Sequence, residues 1–188
     1  MGTPLTGRLL VAAPRLVDPN FIRAVVLVCR HDDDGALGVI LNRLTSVTVG
    51  EALPDWVEPL APPNVVFLGG PVQPEMAVGL GRLRPEHAGK AESEQWTPVD
   101  DRLGLVNLGS PPAEEVAVLD RLRVFAGYAG WSAGQLDFEV ASGDWFVLAA
   151  EEDDPFTAGP GGLWRRVLHR QRGPLALFAD FPPDPSLN

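Results

Sequence analysis

The sequence predicts an α+β fold, a single domain built on a mixed β-sheet. Three observations carry this. Two apolar runs, Ala24–Arg30 and Ala36–Leu41, flank the turn dipeptide Asp34-Gly35 and read as a hairpin whose strands are covered on both faces. Strands and helices do not alternate in strict βαβ units, which sets the chain apart from doubly wound folds. At 188 residues with no internal repeat, one core accounts for the whole of 1–188.

Taken in order, Arg8–Ala13 reads as a strand, and Pro14–Phe21 is irregular because two prolines and the turn signal Asp18-Pro19-Asn20 interrupt it. The hairpin follows. Thr48–Trp56 predicts a short helix, with Thr48 as its cap and Glu51 three residues later completing a capping box. Val65–Leu68 is a buried strand halted by Gly69-Gly70-Pro71, and Met76–Gly81 is a further strand. Residues 84–101 are polar and without period, which predicts a mobile surface loop. Ser110-Pro111 opens a predicted helix: Glu114 and Glu115 lie in its first turn, and Val116, Leu119 and Leu122 form its buried stripe. Arg123–Tyr128 is a strand, Gln135–Ala141 a helix and Trp145–Ala149 a strand. A last helix over about 162–171 places Leu163, Trp164, Val167 and Leu168 on one side and Arg165, Arg166, His169 and Arg170 on the other, until Gly173-Pro174 stops it. Residues 181–188 read as an exposed proline-rich tail.

Composition narrows the function classes. The longest apolar run is Ala24–Cys29, far short of the roughly 20 residues of a membrane span, so no membrane association is expected. The opening MGTPLTGRLL lacks the basic-then-apolar pattern of a secretory signal, which makes cytoplasmic residence the default expectation. A net charge of −10 opposes direct nucleic-acid binding, whose affinity comes from neutralising phosphates. Cys29 is the only cysteine, so neither an intramolecular disulfide nor a thiolate zinc cluster can form within one chain, and its apolar neighbours predict a buried hydrophobe.

Candidate chemistry is sparse. Gly130-Trp131-Ser132-Ala133-Gly134 matches the G-x-S-x-G nucleophile turn, between a predicted strand and a predicted helix, with His169 downstream. An enzyme built on it would use Ser132 and His169, or Cys29 as a thiol nucleophile. No βα-unit series or HGGG-like oxyanion loop accompanies the motif, so a tight turn packing Trp131 inward is the preferred reading. His31 with Asp32, Asp33 and Asp34 reads as a solvated hairpin tip, because adjacent aspartates in a tight turn diverge and cannot converge on a metal. Gly69-Gly70-Pro71 lacks the Lys and Ser/Thr of a phosphate loop and reads as close backbone packing at a strand end. No cofactor or metal is expected.

Four ordered motifs make a specific pattern. They are Asp18-Pro19-Asn20-Phe21; the block Cys29, His31, Gly35, Gly38, Asn42; Gly69-Gly70-Pro71-Val72; and Gly127-Tyr128-Ala129-Gly130-Trp131 with Gly134-Gln135-Leu136 and the later Asp144-Trp145. Over nearly its whole length the chain resembles the AlgH/YqgE-like proteins, and its tail resembles those of actinobacterial members. The resemblance implies a mixed sheet that curls toward a barrel with helices packed outside, no known cofactor, and relatives described as transcriptional regulators. Ser132-Ala133 stands where many relatives carry Gly-Pro, which argues against a shared serine nucleophile. The expectation for function is a non-enzymatic binding or regulatory protein acting through an unidentified protein or small-molecule partner; homodimerisation is compatible with this but no residue argues for it. In that reading Asn20, Phe21, His31, Asn42, Gly69, Gly70, Tyr128, Trp131 and Gln135 line one groove, with polar contacts set among apolar walls.

Overall fold

Leu9, Val11, Val25, Leu27 and Val39 are fully buried, and so are the residues that alternate with them, Leu10, Val26 and Ile40. Strands that bury both faces have no solvent side, as the unbroken apolar runs predict. A computed structural model describes residues 4–90, 93–109, 111–112 and 118–182. Its strands are β1 (Arg8–Ala12), β2 (Val25–Asp32), β3 (Gly35–Ile40), β4 (Leu44–Thr48), β5 (Val65–Leu68), β6 (Val72–Leu83), β7 (Trp96–Pro98), β8 (Leu103–Asn107), β9 (Leu119–Ser132) and β10 (Trp145–Ala149). They form one curled sheet in the order β10-β1-β2-β3-β9-β6-β8-β7, with β5 joining β4 to β9. The β5–β9 pair is parallel while the other strand pairs are antiparallel, so the sheet is mixed. The helices are α1 (Val49–Ala52), α2 (Gln135–Ala141) and α3 (Leu163–His169), with short 3-10 turns between elements and a longer 3-10 segment over Gly173–Asp180.

Strand β9 is the spine. One edge pairs with β6 from Leu119 to Tyr128; the other pairs with β5 at Phe125 and Ala126 and then with β3 from Ala129 to Ser132. Fitting two strands end to end along one edge requires a close crossing. A Cβ on Gly69 would lie 2.2 Å from the Gly127 carbonyl oxygen, and one on Gly70 would lie 2.2 Å from the Tyr128 carbonyl. Gly127 itself has φ +66, and opposite it the register slips because β6 holds extra residues between Val72 and Ala77. The third and fourth motifs therefore meet as bare backbone, in the close packing expected of Gly69-Gly70-Pro71.

Two layers result. On the first face, Leu9, Val25, Leu27, Phe67, Leu80, Phe125 and Leu148 cluster with Leu163, Trp164, Val167 and Leu168 of α3. On the second, Leu10, Val26, Val28, Ile40 and Trp131 cluster with Leu136 of α2. A third cluster joins Trp56, Leu83, Trp96, Val106, Leu119 and Leu122, and each fully buried Leu or Val in the three contributes about 1.5–3 kcal/mol. Arg123 is the exception in the core, 1% exposed. Its guanidinium donates to the carbonyls of Pro62, Pro155 and Thr157 and lies 4.3 Å from the Phe67 ring centroid; burial pushes its pKa down to about 10.

Three expectations change. Leu119 and Leu122 stand in β9, not on a helix. A register shift opposite Arg82 and Leu83 inserts an extra residue, which puts Leu119 and Leu122 on one face at a spacing of three and imitates a helical stripe. The start of that helix, Ser110 and Glu114 to Val116, lies outside the described residues. The stretch 84–101 is not all loop: it carries β7, where buried Trp96 packs over Gly104. Thr48–Trp56 divides into α1 and a 3-10 turn at Pro54–Trp56, because Pro54 removes a helical donor; the Thr48 amide donates to the Glu51 carboxylate, as a capping box requires, and the Thr48 hydroxyl donates to the same oxygen. Of the tail, residues 183–188 lie outside the described residues, while Phe181 packs against Phe178.

Candidate functional site

Strand β9 runs into α2 through Ser132, Ala133 and Gly134, so the strand–turn–helix context of the G-x-S-x-G motif is present, with Gly134 at φ +73. The chemistry is not assembled around it. The Ser132 hydroxyl lies 3.2 Å from Gln135 Oε1, an amide oxygen that is no base. His169 belongs to α3 on the opposite face, where Nε2 lies 3.4 Å from Asp180 and accepts from Arg165. Cys29 is buried in the first-face core with Sγ 3.6 Å from the Leu27 carbonyl, and burial pushes its thiol up to about 12. Among the described residues, neither alternative nucleophile is hydrogen-bonded to a general base.

The motif residues gather instead into an aromatic anchor under α2. Phe21 stacks on Trp131 at 6.2 Å and meets Trp145 edge-on at 5.5 Å; the two indoles lie 6.2 Å apart. Both indole N–H groups donate to Glu139 Oε2 at 2.9 Å, and Gln135 donates to Glu139 Oε1 at 2.9 Å. Two donors fill Oε2 and a third occupies Oε1. His31 stands at the edge of the same face: its Nδ1 accepts from the Leu5 amide, which leaves the proton on Nε2, 3.5 Å from Asp137 of α2. Phe21, His31, Trp131 and Gln135 are thus brought together around α2. Gly69, Gly70 and Tyr128 are not; they sit at the β5–β9 crossing, and Tyr128 packs on the first face. Asn20 is exposed in a turn closed by Asp18. Asp32, Asp33 and Asp34 form the hairpin tip, where Asp32 accepts the Asp34 amide, and no group of three metal-ligating side chains occurs among the described residues.

Asn42 has a different task. Its Oδ1 accepts from the Val25 amide and its Nδ2 donates to the Arg23 carbonyl. Arg43 adds bonds to the carbonyls of Pro19 and Ile22. Together with the Phe21 anchor and the Arg15–Asp144 pair at 3.1 Å, these contacts hold residues 13–23 as a shaped loop. That loop forms one wall of a groove of about 620 Å³. Val17 and Ile22, 73% and 43% exposed, face it from the loop; Phe146, Phe178 and Phe181 form a column of rings on the other wall, with centroids 5.4 and 5.7 Å apart. Arg23 lies between the walls, 4.5 Å above the Trp164 ring, and donates to the Phe181 carbonyl.

Sequence reasoning missed this groove and Glu139. The available signals were two apolar residues, Val17 and Ile22, in an otherwise polar loop, and the apolar stretch Leu175–Phe178 after the helix stop. Among the described residues no helix is long and apolar enough to cross a membrane.

The AlgH-like family model matches residues 9–176. A UPF0301 protein of Streptomyces coelicolor is 50% identical over 184 residues, covering 98% of this chain and 95% of its own. One from Thermobifida fusca is 49% identical, covering 98% and 96%. Among solved structures, the crystal structure of protein DIP2367 from Corynebacterium diphtheriae superposes with a TM-score of 0.87 at 35% identity, covering 96% of this chain and 94% of that one. The solution structure of the AlgH protein from Pseudomonas aeruginosa superposes with a TM-score of 0.67 at 24% identity, covering 97% and 96%, and shares the fold.

Proposed function

The chain belongs to the AlgH-like family, and on that premise we propose that it works as a non-catalytic binding or regulatory protein of the cytoplasm, with the groove beside Arg23 as its binding surface. One observation supports this above the others. The Asp18–Phe21 motif, Asn42 and Arg43 shape a loop whose outward product is a set of apolar side chains left in solvent. A contiguous apolar groove on a soluble surface marks a place of interaction, and its volume falls in the range of small-ligand sites, roughly 300–1,000 Å³. An effect on transcription, as described for relatives, would run through what the groove holds and not through contact with DNA.

Nile red, a neutral apolar dye, tests the reading. The native protein is expected to raise its fluorescence saturably. The double variant Ile22→Asp, Phe181→Ser is expected to abolish the signal while keeping the native circular dichroism spectrum, because both side chains are exposed. No enhancement by the native protein, or an undiminished signal from the folded variant, overturns it.

A further inference from the structure

Resting on the groove as the binding surface, we infer that its ligand is a small amphipathic carboxylate, whose apolar body lies between Ile22 and the Phe178–Phe181 rings and whose anionic head pairs with Arg23. Charge bookkeeping around the groove leads there. Arg15 is committed to Asp144 at 3.1 Å, and Asp180 to Arg165 at 2.5 Å, so both neighbouring carboxylates are already neutralised by this chain's own arginines. Asp18 is engaged in its own turn with the Asn20 amide at 2.8 Å. Of the two arginines that line the groove, Arg15 has its carboxylate and Arg23 has none among the described residues. A guanidinium carries five N–H donors in a planar fork matched to a carboxylate, and here only the bond to the Phe181 carbonyl uses one. Partial burial, with the nearby charge of Arg165, lowers its pKa from the ordinary arginine value, so a counter-charge placed there would be favoured.

The backbone adds an independent observation. Arg23 has φ +52, a left-handed conformation that glycine or asparagine adopts more cheaply. The Asn42 amide holds its carbonyl there. The chain keeps a long cationic side chain at a position whose backbone favours a small one, and the conformation aims that cation across Trp164 into the groove. The surrounding walls are largely apolar, so a carboxylate set against the guanidinium would be partly shielded from water.

Isothermal titration with decanoate and with decanol, below their aggregation concentrations, reads the inference on the full chain. Decanoate is expected to bind at one site, at least about tenfold more tightly than decanol, as one charge-assisted contact provides. Arg23→Asn, which tolerates the same φ, is expected to erase that preference and leave decanol and Nile red unchanged. Arg84→Gln, an exposed arginine outside the groove lining, is the charge control and is expected to keep it. Equal affinity for the two ligands, or an unaltered preference in Arg23→Asn, overturns the anionic head while leaving the groove in place. Failure of Nile red and both ligands together overturns the groove itself. Decanoate binding seen only after removing residues 183–188 assigns the groove to the chain's own end and likewise overturns the inference.

Discussion

At Cys29 the fold decides what a reactive residue type can do. The thiol is 4% exposed, packed among Leu27, Val39 and the α3 side chains, and its pKa rises from the ordinary 9.0 to about 12 because burial disfavours the thiolate. The sign follows from linkage. The neutral thiol is stabilised in the folded state, so its contribution is fully present below pH 9 and is lost as pH rises through 12. In iodoacetamide labelling, the unfolded chain is expected to show a rate that rises through a midpoint near pH 9 and levels off roughly two pH units higher, where its thiol is fully ionised. The native protein is expected to react far more slowly and to show no midpoint there. A native-state midpoint near pH 9 would mean that Cys29 is accessible and ordinary, and would reopen it as a nucleophile.

At the scale of elements, α2 is joined to the sheet through one side chain. Glu139 collects the indole N–H groups of Trp131 on β9 and Trp145 on β10, and Phe21 packs on both rings. Glu139→Ala strands two half-buried donors, a cost of about 2 kcal/mol, which in a chain of this length lowers Tm by roughly 6 °C. The loop 13–23 loses part of its anchor, so amide exchange there is expected to quicken, and Nile red binding to weaken, while β2 and β3 stay protected. An unchanged Tm would show that water replaces the carboxylate at no cost. The same elements show what could be read from the sequence. The hairpin β2–β3, the helix Gln135–Ala141 and the α3 stripe were legible because each is dictated locally, by turn chemistry or by period. The first part of β9 was not, because its bulge converts a two-residue alternation into a spacing of three. Only pairing with β6, about 40 residues away in the chain, reveals it. The expected groove failed for a related reason. Asn42, Gly70 and Tyr128 do build the fold, but their side chains and backbone are consumed in building it. The surface that remains free is made of Val17, Ile22 and Phe181, residues that belong to no polar motif.

Over the whole molecule, charge placement decides between partners. The net charge is −10, and the basic side of α3 was the one concentration of positive charge in the sequence. The structure shows those cations engaged internally: Arg165 with Asp180 at 2.5 Å, Arg170 with Asp154 at 2.6 Å and Glu151 at 3.1 Å, and Arg166 with the Gly159 carbonyl and the Thr157 hydroxyl, both at 2.8 Å. A phosphate approaching α3 would have to displace carboxylates already in place, so few counterions would be released from the nucleic acid to drive binding. The expected result is no mobility shift of duplex DNA at about 10 μM protein in about 50 mM salt, conditions in which even non-specific binders with several phosphate contacts are retained. A shift that fades steeply between about 50 and 200 mM salt would show that the α3 ion pairs open on contact. In that event the regulatory reading would move from the apolar groove to the basic helix, since the same acidic body cannot favour a polyanion on one face without first giving up the pairs that fold its C-terminal segment against α3.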